Sequence, residues 1–545
     1  MNNKTFTISG QIVDLIASRI FSGTVSVENG KIVSIKECET AEKQFIMPGF
    51  VDAHIHIESS MVVPSEFARM ATPHGTVATV SDPHEIANVL GIEGIKFMIE
   101  SGKRVPFKFF FGAPSCVPST CFETAGFTLD SSAIEQLMAI DDIHYLSEMM
   151  NCPGVLFEDA DILKKLAAAQ KANKPIDGHA PALSGDGLKK YVAAGISTDH
   201  ECFTLEEAEE KIGEGMLIQI REGSAAKNFE ALIPLMATHP EKLMFCSDDK
   251  HPNDLLKGHV NELVKRAIDL GYNILDVLKA ASVNAVNHYH LNVGLLQTGD
   301  DADFIVVDNL DDLNVKRTYI KGECVAADGV SSIAHLQSAT PNNFVIGSIA
   351  KEDIALTDEG KNIKVIGCFD GQLITDVTIA KPKVENGNLV SDVERDILKM
   401  VVVNRYAKAK PAVAFIRNFG LKKGAIASSV AHDSHNIVAV GASDEEIVAA
   451  INMLIENKGG VVTYSHEESA VLPLPVAGLM SADEGEKVAE NYEKADALAH
   501  RLGTTLYAPF MTLAFMSLVV IPDLKLSDKG LFDVKQFGFT SLFVD

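Results

Sequence analysis

The stretch Met47-Pro48-Gly49-Phe50-Val51-Asp52-Ala53-His54-Ile55-His56 decides how the rest of the chain is read. It reads as a strand that ends on two histidines separated by one residue. Residues i and i+2 of a strand share a face, about 6–7 Å apart. His54 and His56 can therefore hold one metal ion together, while apolar Ile55 turns the other way. A chance H-x-H pair, satisfied by hydrogen bonds alone, is the plainer alternative. The ends of the other strands decide between the two.

From this first strand, read over 50–57, seven more strand-like runs follow at 76–81, 107–112, 144–149, 175–178, 196–199, 216–220 and 243–246. Helical patterns separate most of them, at 161–171, 187–194, 205–212, 228–238 and 261–270. Eight β-α alternations over about 240 residues predict a (β/α)8 TIM barrel. A doubly wound open sheet is the rival, but the chain lacks the Gly-rich first turn of that fold. In a barrel the strands surface at a common C-terminal mouth, where active sites lie. Strand four ends on Glu148, strand five runs into His179, strand six into His200 and strand eight into Asp248. With His54 and His56 they make four imidazoles and two carboxylates, enough for two divalent ions and a bridging carboxylate. Any one of the six could be a satisfied core histidine or a surface carboxylate; their convergence on one mouth is the argument.

Outward from the barrel, alternating strands at 5–9, 24–28 and 31–36, with a hairpin signal at Glu28-Asn29-Gly30-Lys31, precede it. Similar strands return at 303–308 and 315–321. These flanks predict a small β-sandwich-like domain built from 1–47 and 291–335, around a barrel spanning 48–290. Residues 336–545 read as a further α/β domain, with strands at 413–417 and 437–441 and helices at 444–456 and 484–501.

Composition narrows the function. Among 545 residues, 48 Lys and Arg stand against 74 Asp and Glu, a net charge of −26. So acidic a surface argues against nucleic acid and membrane surfaces as partners. The most apolar late stretch, 510–521, falls short of the ~20 residues of a membrane span. Asn2, Asn3 and Lys4 carry no leader signal, which with the scattered cysteines suggests a cytoplasmic protein. Without a C-x-x-C pair the small zinc deaminase pattern is excluded. No H-E-x-x-H, P-loop or G-x-S-x-G is present either. The pairs Lys164-Lys165 and Lys189-Lys190 read as solvated helix faces, Glu206 to Glu210 as an acidic helix start, and Phe109 to Phe111 as a buried strand.

Several segments resemble a known family. They are Asp52 to Met61, Ser81-Asp82-Pro83-His84-Glu85-Ile86-Ala87-Asn88-Val89, Ser147 to Asn151, Asp177 to Pro181, Asp199-His200-Glu201 and Ala431-His432-Asp433-Ser434-His435-Asn436. Together they resemble the amidohydrolase superfamily and, more narrowly, the bacterial adenine deaminases, over essentially the whole chain. Many binuclear members of the superfamily place a carboxylated lysine on strand four. Glu148 stands there in this chain, which speaks against a dihydroorotase-like or hydantoinase-like enzyme, the alternative within the superfamily.

The resemblance implies conversion of adenine and water to hypoxanthine and ammonia, two divalent ions, Mn2+ or Fe2+ with Zn2+ also suited, and a homodimer. Displacing an exocyclic amine needs a nucleophile stronger than water, and a cation lowers the pKa of bound water to near 7. Asp248 is the candidate to collect the water proton and pass it to the leaving nitrogen, doubling as a ligand. Glu85, with His84 beside it, is the candidate to protonate ring N1; the alternative is a carboxylate that merely favours a helix start. The His432-to-His435 cluster could reach over the barrel mouth or hold a further ion, but a polar turn capping its own domain is the expectation. A binding module that kept the barrel without turnover is the third reading, and an intact ligand ring argues against it.

Overall fold

The computed structural model describes residues 5–224 and 226–545; the reading of Asn2, Asn3 and Lys4 lies outside the described residues. Eight parallel strands form the centre: β1 (Phe50–Ile55), β2 (Thr76–Ser81), β3 (Lys108–Ala113), β4 (Ile143–Met149), β5 (Ile176–Gly178), β6 (Thr198–Asp199), β7 (Leu217–Arg221) and β8 (Leu243–Cys246). β1 to β5 pair in sequence order, as do β6 to β8. The Ser197 amide donates to the Ile176 carbonyl at 3.0 Å, which joins the two runs. At the other seam Asp248 donates to the His54 carbonyl at 2.9 Å and His56 to the Asp248 carbonyl at 3.2 Å, closing the barrel. Every residue of β1, β2 and β8 is buried, as expected of parallel strands covered on both faces.

Helices follow where the apolar periodicity placed them, among them Ala160–Lys171, Gly185–Ala193, Leu205–Gly213 and Val260–Asp269. The helix read over 228–238 is not continuous: a single turn of α-helix, Phe229–Leu232, passes into a 3-10 segment, Ile233–Ala237. Pro234 lacks the N–H that a continuous helix would use there. Lys165 is a second correction. It is buried, and its ammonium donates to the carbonyls of Ser115 (3.0 Å) and Leu129 (2.7 Å), so it is no solvated face.

The two flanking β segments share one eight-stranded sheet, joined where Phe304–Val307 runs antiparallel to Phe45–Pro48. The C-terminal segment carries a nine-stranded mixed sheet with the helix Asp444–Glu456 on one face. Period-2 alternation sets what each face covers. Along Ile397–Val403, Leu398, Met400 and Val402 join the apolar core that continues into the barrel. Val401 and Val403 pack in the separate cluster that contains the helix residues Ile447, Ile451 and Leu454. The C-terminal sheet is thereby seated against the barrel through a shared core. Among the described residues no helix is long and apolar enough to cross a membrane.

Candidate active site

The six side chains read from the strand ends meet at the barrel mouth. His54 and His56 leave the end of β1 with their Nε2 atoms 3.3 Å apart. His56 Nε2 lies 3.1 Å from Asp248 Oδ1 and 3.4 Å from Glu148 Oε1. His54 Nε2 is 3.6 Å from Asp248 Oδ1, and its ring stacks on His200 with centroids 4.1 Å apart. Glu148 faces imidazoles with both oxygens: Oε2 lies 2.7 Å from His179 Nδ1 and 3.2 Å from His200 Nε2. Glu148 thus reaches His56 with one oxygen and His179 and His200 with the other. The His56 ring is oriented by its other nitrogen, with Nδ1 3.1 Å from the Asp82 carbonyl. Such a partner fixes the tautomer that leaves Nε2 to a metal.

His84, the first residue of the helix His84–Gly102, is drawn into the same floor. Its Nδ1 lies 3.2 Å from Asp82 Oδ2 and 3.3 Å from Glu148 Oε1, and its Nε2 lies 3.3 Å from Glu85 Oε1. Two members of the floor escaped the sequence reading. Arg221 is fully buried and bonds both Glu201 and Asp248, reaching Asp248 Oδ2 at 2.5 Å. Glu201 in turn stands 3.6 Å from His200 Nε2 and 3.8 Å from His179 Nδ1. Arg221 ends β7, so the strand-end rule that found the other residues would have found it, had that strand been read one residue longer.

The donor set fits divalent cations. Asp82, Glu148, Glu201 and Asp248 bury four carboxylates against one guanidinium. That excess of negative charge is costly unless cations or protons offset it. Three overlapping triads or tetrads of ligand atoms lie within 4.8 Å of one another: His56, Asp82, His84 and Glu148; His54, Glu148 and His200; His54, His56 and Asp248. Burial lowers the His54 imidazole, and His200 beside it adds to this. For His56 burial acts in the same sense, but Asp248 and Glu148 outweigh it and hold the ring well above its ordinary value. Glu148 is lifted by burial, yet His179, His200 and His56 bring it well below the usual carboxylate range.

The C-terminal segment supplies the rest, which overturns the reading of its histidine cluster as a turn capping its own domain. His432 Nδ1 lies 2.6 Å from Glu85 Oε1, and His435 Nε2 bonds Glu85 Oε2. Because His435 Nδ1 accepts the Ala431 amide at 3.2 Å, its Nε2 carries the proton and donates to Glu85. The two rings differ in charge. Burial drives His435 down to about 4, while Glu85 and Asp249 overcome burial at His432 and raise it to about 9. Glu85 itself is pushed up by burial, but His432, His435 and His84 bring it well below the carboxylate range. It does stand in the first turn of its helix, as the plainer reading held, yet its carboxylate points at the C-terminal histidines. Over this floor lie Leu373, Phe515, Leu518, Val520 and Ile521, an apolar roof from the same segment.

Comparison with known proteins agrees with this architecture. Residues 45–325 match the amidohydrolase family, and residues 372–538 match the adenine deaminase C-terminal domain. The chain is 55% identical to an adenine deaminase of Methanosarcina mazei, over 98% of this chain and 99% of that one. It is 53% identical to an adenine deaminase of Salinibacter ruber, with 99% of both chains covered. A third, from Borreliella burgdorferi, is 48% identical over 98% of this chain and 99% of its own. With both halves of the chain matched by family models and relatives up to 55% identical over nearly its whole length, this chain belongs to the adenine deaminase family of amidohydrolases.

Proposed function

We propose that this chain hydrolyses adenine to hypoxanthine and ammonia at the barrel mouth, with two divalent ions, Mn2+ or Fe2+, held by His54, His56, Glu148, His179, His200 and Asp248. Membership of the amidohydrolase family implies a divalent metal cofactor. The observation that carries the reading is the contact of His432 and His435 with Glu85. Both histidines lie within the segment matched by the adenine deaminase C-terminal domain, so the part of the chain specific to that group contributes directly to the site.

A bound divalent cation lowers the pKa of water and so supplies a nucleophile at neutral pH. The chain's own residues do the rest. Asp248 is set to take a proton. Burial pushes its carboxyl up, but Arg221, His54 and His56 hold it well below the usual range, so it is ionised. It accepts the proton of the attacking water and returns it to the leaving nitrogen, which departs as ammonia. Glu85 serves ring N1. Held ionised between a charged His432 and a neutral His435, it stores its proton one atom away, on His432 Nδ1. Transfer along that 2.6 Å contact makes Glu85 the donor as N1 gains electrons, and the second proton of the water, left on the C6 hydroxyl, returns to the Glu85–His432 pair as the carbonyl forms and the amine leaves. His84, between Glu85 and Glu148, couples the two ends of the site. The apolar roof covers a flat heterocycle and excludes bulk water, which strengthens every charge interaction beneath it.

The test is an assay of Mn2+-loaded protein on adenine, adenosine, dihydroorotate and a hydantoin, following ammonia release and ultraviolet absorbance. Turnover of adenine is expected. A protein that acts on a cyclic amide and ignores adenine would sink the substrate while leaving the metal ring standing. A homodimer, which the family resemblance suggests, is checked by light scattering on the same sample.

A further inference from the structure

Lys525 is a fully buried lysine in the strand Leu524–Ser527 of the C-terminal segment. No carboxylate pairs with it among the described residues; its neighbour Asp523 is taken by Lys535 at 2.8 Å. Its ammonium instead donates to two backbone carbonyls, those of Leu373 at 2.7 Å and Phe515 at 3.0 Å. These acceptors are not arbitrary. Leu373 and Phe515 come from separate parts of the segment, a loop before the strand Thr375–Ala380 and the end of the helix Pro509–Phe515. Both line the cavity above the barrel floor. Phe515 then stacks on His432, with centroids 4.5 Å apart and planes 13° from parallel. His432 in turn bonds Glu85.

We propose that Lys525 is a positioning residue for the deamination: by tying the Leu373 and Phe515 carbonyls together it sets the roof that clamps the purine and seats His432 against Glu85. The inference rests on the adenine reading above and extends it to a residue outside the site. Stability does not account for a lysine at this place. An ammonium buried without a carboxylate costs more than a methionine of similar length filling the same space. Burial pulls the amine down to about 7, a measure of that cost. What the lysine adds is reach and two convergent donors: one long side chain links the loop at Leu373 directly to the helix end at Phe515, which backbone bonds of Thr375 to Pro522 and Asp523 and of Leu526 to Met516 tie only to the strand between them. Clamping by such a link acts on binding of a near-attack geometry, in which small displacements are costly.

The experiment compares wild type with K525M, both Mn2+-loaded, in three readouts. Adenine kinetics should show kcat lowered about tenfold together with a raised KM, because both the seating of the purine and that of His432 against Glu85 are loosened. Hydrogen exchange should quicken in amides around 371–376 and 512–518 and remain unchanged in the barrel strands. Thermal unfolding should show no loss of stability. K525Q, which keeps a shorter donor, should fall between the two in KM, and it carries the same test if K525M does not fold. A wild-type KM and unaltered exchange in either variant would overturn the proposal, as would a fall in stability with kinetics per folded molecule unchanged. If wild type itself ignores adenine, the substrate reading falls, and exchange at the two loops still decides whether Lys525 ties them.

Discussion

The floor and the roof of this site are assembled over very different distances along the chain. On the floor, His54 and His56 stand two residues apart on one strand, and the other ligand candidates each end a strand of the same barrel. Local geometry presents each of these side chains at a strand end, and closure of the barrel, by the bonds between His54, His56 and Asp248, brings the ends to one mouth. The roof is the opposite case. His432 meets Glu85 across 347 residues of sequence, and only the seating of a nine-stranded sheet on the barrel brings them together. The floor gathers negative charge that cations can offset. The roof sets one charged and one neutral imidazole on a single carboxylate and covers both with apolar side chains. The division matches the two tasks of the proposed reaction: activating water below, and supplying a proton to the ring from above.

Four perturbations separate these tasks. Removing metal with a chelator should strike the floor hardest. Loss of several kcal/mol of electrostatic stabilisation corresponds to a fall in kcat on the order of 10³-fold or more. Restoration by Mn2+ or Fe2+ should follow, and a chelated protein that keeps full activity would break the floor's assignment. Next, Glu85→Gln should lower kcat by at least ~10², the usual scale for removing a proton-transfer group. Metal content measured on the same preparation should stay that of wild type, because Glu85 belongs to the roof's chemistry. Full turnover by this variant would remove Glu85 from the mechanism.

The smallest effects concern the two histidines and sharpen the contrast between them. His432 is the charged partner and exerts the larger lowering influence on Glu85. In His432→Ala the Glu85 carboxyl therefore rises. The proton for N1 then has to sit on Glu85 itself, no longer on a histidine that keeps it up to about 9, so the basic limb of a kcat/KM profile should move to lower pH. In His435→Ala the proton held on His432 is kept, so the pH profile should move far less, with a loss in kcat of about tenfold from one missing hydrogen bond. Unchanged KM, kcat, metal content and pH profile in His435→Ala would return the cluster to a turn that serves only its own domain.

How far the sequence could be read follows the same division. All eight barrel strands were legible, since an apolar run bounded by turns and ending in a polar residue is a local signal. So were the helix Asp444–Glu456 and the strand Ile437–Gly441. The helix at 228–238 was misread because apolar spacing outweighed Pro234. Lys165 was misread because a lysine on a helix is solvated by default, and the carbonyls that hold it, from Ser115 and Leu129, come from other elements. Glu201 was quoted within a motif without a role, since its value depends on Arg221 arriving from the next strand.

By itself the sequence determined the barrel and the family and pointed to the six strand-end side chains, because each of these signals is a short run or a motif that survives as a string. Tertiary structure alone decided that Glu85 is held ionised between His432 and His435, that Arg221 locks Asp248, and that Lys525 joins two walls of the roof. The physical reason is that protonation state and orientation depend on the summed field and contacts of groups packed together, and those groups lie hundreds of residues apart until the chain folds.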